Sequence, residues 1–323
     1  MIIETRFRPH RMFPGGHLQT LAGFYFPASP EPYDADAILL EVPTKDGTPD
    51  KIALHDDCPV DWKPDDQVVL LIHGLAGCYG SGYMSRLANR LKRAGIRTFR
   101  MDMRGTGAAT GHARLPGHAG RWQDAAVAIR HIAEICPDAP LTMVGFSMGG
   151  NLALSALAAA ATEPIGNLRR GIAVAPPVDL SRCCRELRVG VRNAYDKFLI
   201  RHLVQHWIAT GGDLMGPRPS SIYQFDDQIT APLSGFRDAE DYYAHASSGP
   251  RLKDITLPTR ILAARDDPVV AYGAIEAAER SEHVALHATD SGGHLGYVAH
   301  RSDVENRRWM DNTIAQWILQ DWS

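Results

Sequence analysis

Short, continuously apolar runs recur along the chain and are separated by segments with helical periodicity. A strand with one face in water alternates apolar and polar residues. A run that is apolar throughout is typical of a strand covered on both faces of a parallel sheet. The runs that we predict to be strands are 38–42, 51–55, 68–72, 97–101, 141–145, 171–175, 260–264 and 284–287.

Helical patterns lie between most of these runs. The first two runs flank a turn at Asp46-Gly47 and are predicted to pair as an antiparallel hairpin-like entry. Alternation of the others with helices favours an α/β fold, an open and mostly parallel eight-stranded sheet with helices on both faces. Ligands of such sheets bind at the carboxyl ends of the strands. The predicted helices are 83–94, 121–135, 148–161, 272–280 and 304–319.

Residues 181–250 interrupt the alternation and are predicted to form a cap over the strand ends. The remaining chain then forms one core in two parts, residues 1–180 with an N-terminal arm and residues 251–323. Within the cap, Ile200, Val204 and Trp207 follow helical spacing. We predict that this stripe, Trp207 in particular, contacts a substrate, although the same stripe could equally pack on the core.

Composition excludes several classes of function. The chain has 323 residues, of which 45% are hydrophobic and 22% charged, and a net charge of -3, values typical of a soluble globular protein. No clustered basic footprint indicates a nucleic-acid partner. No apolar run approaches the roughly 18 residues of a membrane anchor. Five cysteines without disulfide or zinc spacing favour a reducing cytoplasm. Composition does not indicate an oligomeric state.

One motif carries nucleophile chemistry. Gly145-Phe-Ser147-Met-Gly149 follows a predicted strand and opens a predicted helix, which is the strand–turn–helix context that a nucleophilic serine requires. Side chains at residues 145 and 149 would collide with neighbouring elements in so sharp a turn. We therefore predict that Ser147 is the nucleophile and that the helix after it stabilises an oxyanion.

A serine nucleophile needs a base, and the base needs an orienting acid. Asp266 and Asp267 follow one predicted strand, and His294 lies in a glycine-rich loop after the next. The order of serine, acid and histidine along the chain is that of a known arrangement on parallel sheets. We predict His294 as the base, with either aspartate as the acid.

Two backbone N–H groups are expected to bind the oxyanion. One belongs to Met148, directly after the nucleophile. The other belongs to Leu75, in the loop after the strand 68–72. His73 and Gly74 are predicted to shape that loop rather than to react.

Several of these motifs together resemble the α/β-hydrolase superfamily. The stretches 16–20 (Gly-His-Leu-Gln-Thr) and 225–243 are more specific and resemble its YheT-like esterase branch. The resemblance implies an α/β-hydrolase fold and an esterase that acts on short- to medium-chain acyl esters without a cofactor. It also implies the triad Ser147, Asp267 and His294. We interpret the 16–20 motif as a fastening of the N-terminal arm to the core.

Other functions remain as alternatives or are disfavoured. An amidase or thioesterase would use the same triad, and a ligand-binding homologue could keep the fold without catalysis. His202 and His206 have the i, i+4 spacing of a zinc site, but the glutamate that should follow the first histidine is missing. We therefore predict no metal.

Overall fold

The computed structural model describes residues 1–25, 35, 37–45, 47–214, 216–300 and 307–322. Its described strands form one sheet in the order β1-β9-β8-β7-β6-β4-β5-β3-β2. The strands are β1 Ile2–Glu4, β2 Ala37–Val42, β3 Asp50–Asp57, β4 Val68–Ile72, β5 Arg97–Asp102, β6 Leu141–Phe146, β7 Leu168–Val174, β8 Thr259–Ala264 and β9 Val284–Thr289.

The sheet is mostly parallel, as predicted, and the antiparallel pairs among its described strands are β2 with β3 and β3 with β5. The predicted number of eight strands is wrong, because β1 adds a ninth. This strand has three residues at the sheet edge and pairs in parallel with β9, Ile2 opposite Leu286. The strand was not predicted because so short and exposed a segment has no long apolar run. Its partner strand also lies at the far end of the chain.

The central strands are apolar throughout because the sheet has a hydrophobic core on each face. In β4, Val68, Leu70 and Ile72 pack into one core, whereas Val69 and Leu71 pack into the other. Helices α3, α4 and α10 cover the first face, and α2 and α11 cover the second. These helices are α2 Gly82–Arg93, α3 Trp122–Ile135, α4 Met148–Ala159, α10 Tyr272–Ala277 and α11 Trp309–Leu319.

The predicted helices are present with shifted ends. Helix α10 ends three residues before the predicted boundary, because Ala278 has extended backbone angles. Helix α11 begins at Trp309, and residues 304–306 of the predicted helix lie outside the described residues. Asp46 of the predicted turn also lies outside them. One further helix, α1 Gly16–Tyr25, belongs to the N-terminal arm.

The segment between β7 and β8 is mainly helical and contains no described strand. A π-helical turn spans Asp226–Thr230, within the 225–243 stretch. Two small clusters of buried side chains hold these helices together. The helices are α5 Leu180–Leu187, α6 Asn193–Ala209, α7 Ile222–Phe225, α8 Ala231–Ser234 and α9 Ala239–Ala246.

Candidate active site

Ser147 lies between β6 and α4 with a strained backbone, φ 52° and ψ -121°. Non-glycine residues rarely adopt a positive φ, and such strain is concentrated at functional sites. The turn is held on both sides. The Ser147 N–H donates to the Val174 carbonyl at 2.8 Å, and the Ser147 carbonyl accepts from Gly150 N–H at 2.8 Å.

The two glycines of the turn have a steric function. A Cβ at Gly145 would overlap the Gly149 backbone, and a Cβ at Gly149 would overlap the carbonyl oxygens of Ile72 and His73. Strand β4, strand β6 and helix α4 therefore approach more closely here than side chains permit. The structure thus gives a concrete reason for the spacing of the motif.

Ser147, His294 and Asp267 lie in hydrogen-bond contact. The Ser147 Oγ is 3.0 Å from His294 Nε2. On the other side of the ring, His294 Nδ1 is 2.9 Å from Asp267 Oδ2. This relay is the geometry in which a hydroxyl gives its proton to a neutral imidazole that is held by a carboxylate.

The two adjacent aspartates have different partners. The second oxygen of Asp267 accepts the N–H groups of Val269 at 2.7 Å and Val270 at 2.9 Å, so its carboxylate is fixed from behind. Asp266 turns away from the ring and accepts Gly293 N–H at 2.9 Å. Burial raises the pKa of Asp266. Asp267 thus contacts the ring of His294, and Asp266 contacts the loop that carries this ring.

The loop after β4 lies directly beside Ser147. A Cβ built on Gly74 would be 3.0 Å from the Ser147 Cβ, so the chain that leads to Leu75 passes Ser147 closely. Tyr83 accepts Gly74 N–H at 3.0 Å, and burial raises the pKa of Tyr83 to about 12. Its phenol is therefore a neutral anchor for this loop.

His73 lies away from the hydroxyl of Ser147 and has its own partners. Its Nδ1 is 2.7 Å from the Gly74 carbonyl, which can only accept, so Nδ1 carries the proton. Its Nε2 then accepts Met103 N–H at 3.3 Å. Burial lowers the pKa of His73, which favours this neutral form. These contacts fit the predicted loop-shaping role.

A cavity of about 800 Å³ opens onto the triad. Ser147, His294 and both residues predicted to bind the oxyanion line it, together with residues from α1 and from the segment between β7 and β8. Met148 is the first residue of α4, where backbone N–H groups have no acceptor within the helix. Four of the predicted site residues therefore line one cavity, and Asp267 contacts the ring of His294 from behind that lining.

Trp207 is the one predicted site residue for which the described residues show neither a place in the cavity lining nor a contact with another predicted site residue. Its ring is 8% exposed and packs with Ile200, Val204, Phe225 and Ile229, while its indole N–H donates to the Asp213 carbonyl at 2.9 Å. The predicted stripe thus packs inside the segment. The neighbouring face of α6, which carries Leu199 and Leu203, lines the cavity instead.

Two residues that contact the histidine loop were not predicted as site residues. Thr20 accepts the backbone N–H of His294 at 2.8 Å, and Gln19 pairs with both backbone groups of Val298. Both residues belong to the 16–20 motif, which is recognisable in the sequence. The motif itself does not indicate that its partners lie more than 270 residues away along the chain.

The described residues contain neither a candidate metal site nor a membrane-spanning helix. No group of three or more histidine, cysteine, aspartate or glutamate side chains there could hold a metal ion. In the same part of the chain, every helix is too short or too polar to cross a membrane.

The model of the serine aminopeptidase S33 family matches residues 63–295 of the chain. The protein belongs to this family. The match runs from the segment before β4 to the residue after His294. It therefore covers all three residues of the relay and places the chain in the α/β-hydrolase superfamily, as the sequence motifs indicated.

Relatives of this S33 protein include ester hydrolases. It is 28% identical to "Putative esterase YheT" of Escherichia coli (strain K12) over 98% of this chain and 93% of that protein. It is 27% identical to a phospholipase, ABHD3 of Homo sapiens, over 71% of this chain and 58% of that longer protein.

Among solved structures, an esterase from Pyrococcus furiosus matches with a TM-score of 0.55 and 15% identity, covering 88% of this chain and 92% of the esterase. At that identity the match shows the fold. Together the comparisons identify a hydrolytic enzyme of the esterase and lipase type.

Proposed function

We propose that the protein is a serine carboxylic-ester hydrolase that acts on short- to medium-chain acyl esters. The observation that carries this proposal is the relay of Ser147, His294 and Asp267 at the wall of a cavity. The names of the relatives support an ester, rather than an amide or thioester, as the bond that is cleaved.

The proposed reaction has two halves. Ser147 Oγ attacks the ester carbonyl carbon while its proton passes to His294 Nε2. The C–O bond then breaks, and the alcohol leaves with that proton. Water repeats the sequence on the acyl-serine and releases the acid. The Leu75 and Met148 N–H groups stabilise the oxyanion, each typically contributing about 10²–10³ in rate.

The acyl chain is proposed to lie against α6. Leu199 and Leu203 reach the cavity from this helix, and Leu75 and Val269 face it from the core. The segment 181–250 then acts as a cap that sets acyl preference without contributing to the relay. The cytoplasmic location indicated by the cysteine pattern stays a prediction.

A series of p-nitrophenyl esters of increasing chain length tests the proposal. Wild type is expected to hydrolyse them with a preference for short and medium chains, and Ser147→Ala to lose activity while its circular dichroism stays unchanged. Leu199→Trp fills the cavity and should shift the preference to shorter chains. Trp207→Phe, on the neighbouring face of α6 that does not line the cavity, is the matched control and should leave the preference unchanged.

Two outcomes contradict the proposal. Activity that survives in Ser147→Ala excludes this serine as the nucleophile. A wild-type enzyme that cleaves aminoacyl anilides or thioesters, but no carboxylic ester in the series, would assign the same triad to one of the alternative hydrolases.

A further inference from the structure

The loop that carries His294 is strained and lacks regular structure of its own. Four of the six residues from 292 to 297 have positive φ angles, and two of them, Leu295 and Tyr297, are not glycine. Strain of this kind persists only when surrounding structure over-determines the backbone. The contacts that hold the loop should therefore come from outside it.

Helix α1 supplies such contacts. The Thr20 hydroxyl donates to the Gly16 carbonyl at 2.7 Å, so its proton is used within the helix and its oxygen is aimed outward. That oxygen accepts His294 N–H at 2.8 Å. Because this hydrogen bond is made by the backbone of His294, it restricts the direction in which the imidazole projects from the chain.

Gln19 holds the loop at its far end. Its amide N–H donates to the carbonyls of Phe13 at 2.8 Å and Val298 at 3.1 Å, and its amide oxygen accepts Val298 N–H at 2.7 Å. The side chain is fully buried and satisfies both backbone groups of one loop residue, as a neighbouring strand would.

Glycines make this close packing possible. A Cβ on Gly293 would overlap the Gly16 carbonyl and the Thr20 hydroxyl, and a Cβ on Gly296 would overlap the Gln19 carbonyl. On the other side, a Cβ on Gly16 would overlap the backbone of Asp266. Helix α1 thus fits between the two loops that carry the acid and the base.

The same helix also contacts α6. His17 Nδ1 is 3.0 Å from the Tyr195 hydroxyl, and the two rings stack with centroids 5.6 Å apart. Helix α1 is therefore supported by the helical segment on one side while it holds the histidine loop on the other.

We infer that Thr20 and Gln19 are positioning residues for His294, and that the 16–20 motif is a clamp that orients the base from outside the sheet. This inference rests on the proposed function, because in that function His294 is the base that the clamp orients. It replaces the interpretation of the motif as a fastening of the arm alone. Loss of the clamp should slow the proton transfer while substrate binding is retained.

The test compares Thr20→Val, Thr20→Ser and a control, Thr142→Val. The valine at residue 20 removes the acceptor with little change of shape, and the serine keeps it. Thr142 is buried, accepts Arg170 Nε at 2.8 Å and lies near the start of β6, away from the triad. Its valine variant thus also loses one buried hydrogen bond.

We expect Thr20→Val to lower kcat about 10- to 100-fold, since small misplacements of a catalytic group have effects of this size. KM should stay within about threefold of wild type. Thr20→Ser should regain most of kcat, and Thr142→Val should keep it. Amide hydrogen exchange of the peptide containing residues 291–298 should accelerate in Thr20→Val only.

Equal kcat and equal exchange in Thr20→Val and Thr142→Val would overturn the inference. The exchange measurement needs no substrate. If wild type hydrolyses no ester, the proposed function fails, and the exchange rates still decide whether the clamp holds the loop.

Discussion

The two partners of the proposed proton transfer, Ser147 and His294, are held in different ways. Ser147 is placed mainly by its neighbours in the chain, the end of β6, the start of α4 and two glycines, with one backbone bond to Val174 of β7. His294 is placed by Thr20, which lies 274 residues away in sequence, and by Asp267 of a different loop. The proposed nucleophile therefore lies in one contiguous strand–turn–helix unit, whereas the proposed base depends on residues that are distant in sequence.

This difference explains how substitutions on the two sides should act. A change in the serine turn alters the packing of β4, β6 and α4, which belongs to the core. A change in the histidine loop alters contacts at the edge of the cavity and should affect catalysis more than folding.

The largest expected effect is at Gly149. Gly149→Ala forces a Cβ into the carbonyls of Ile72 and His73 and should destabilise the fold by more than about 4 kcal/mol, a size reserved for core disruption. Gly293→Ala, in the histidine loop, should abolish activity while most of the stability remains. Urea unfolding of both variants measures their free energies of unfolding. Equal losses of stability would contradict the difference that we expect between the two regions.

The acid gives the next largest effect. Asp267→Asn should lower kcat by about 10⁴, because the ring loses the carboxylate that fixes its tautomer. Asp266→Asn keeps an oxygen for Gly293 N–H and should stay within about tenfold of wild type. Steady-state kinetics of the two purified variants separates them, and the reverse order would transfer the orienting role to Asp266.

The smallest expected effect concerns acid stability. His287 lies on β9, the strand that leads to the histidine loop, and burial lowers its pKa to about 4. An unfolded histidine has a pKa near 6.5, so the unfolded state binds the proton first. Stability contributed by the neutral ring is complete above about pH 6.5 and is lost as the pH falls towards 4.

His287→Phe removes this titration. Between pH 7.5 and pH 4.5, its Tm should fall by about 2–4 °C less than that of wild type. His245→Phe, at an exposed histidine of α9, is the control and should follow wild type. An acid loss of Tm that is identical in all three proteins would show that His287 does not contribute to it.

Sequence patterns predicted the features that arise locally. The buried strands could be recognised because a strand with a core on each face is apolar throughout. The serine turn could be recognised because its glycines and flanking elements are contiguous. The structure brings the predicted Ser147, Asp267 and His294 together, and their catalytic roles stay predictions that the variants test.

Features set by distant contacts escaped prediction. Strand β1 depends on its pairing with β9. Its three residues alone form too short a pattern to predict a strand or its partner. The stripe at Trp207 showed that one face of α6 is buried but not whether core, cap or substrate covers it. The role of Thr20 could not be predicted, because its contact joins residues near opposite ends of the sequence. Only the folded structure shows that they are close.

Detection of the acyl-enzyme tests the central claim most directly. Wild type is mixed with p-nitrophenyl butyrate, quenched in acid within the first turnovers and digested for mass spectrometry. We predict a butyryl group on the peptide that contains Ser147, and none there in Ser147→Ala. Rapid ester hydrolysis with no acyl group on Ser147, or an acyl group on another residue, would contradict the account.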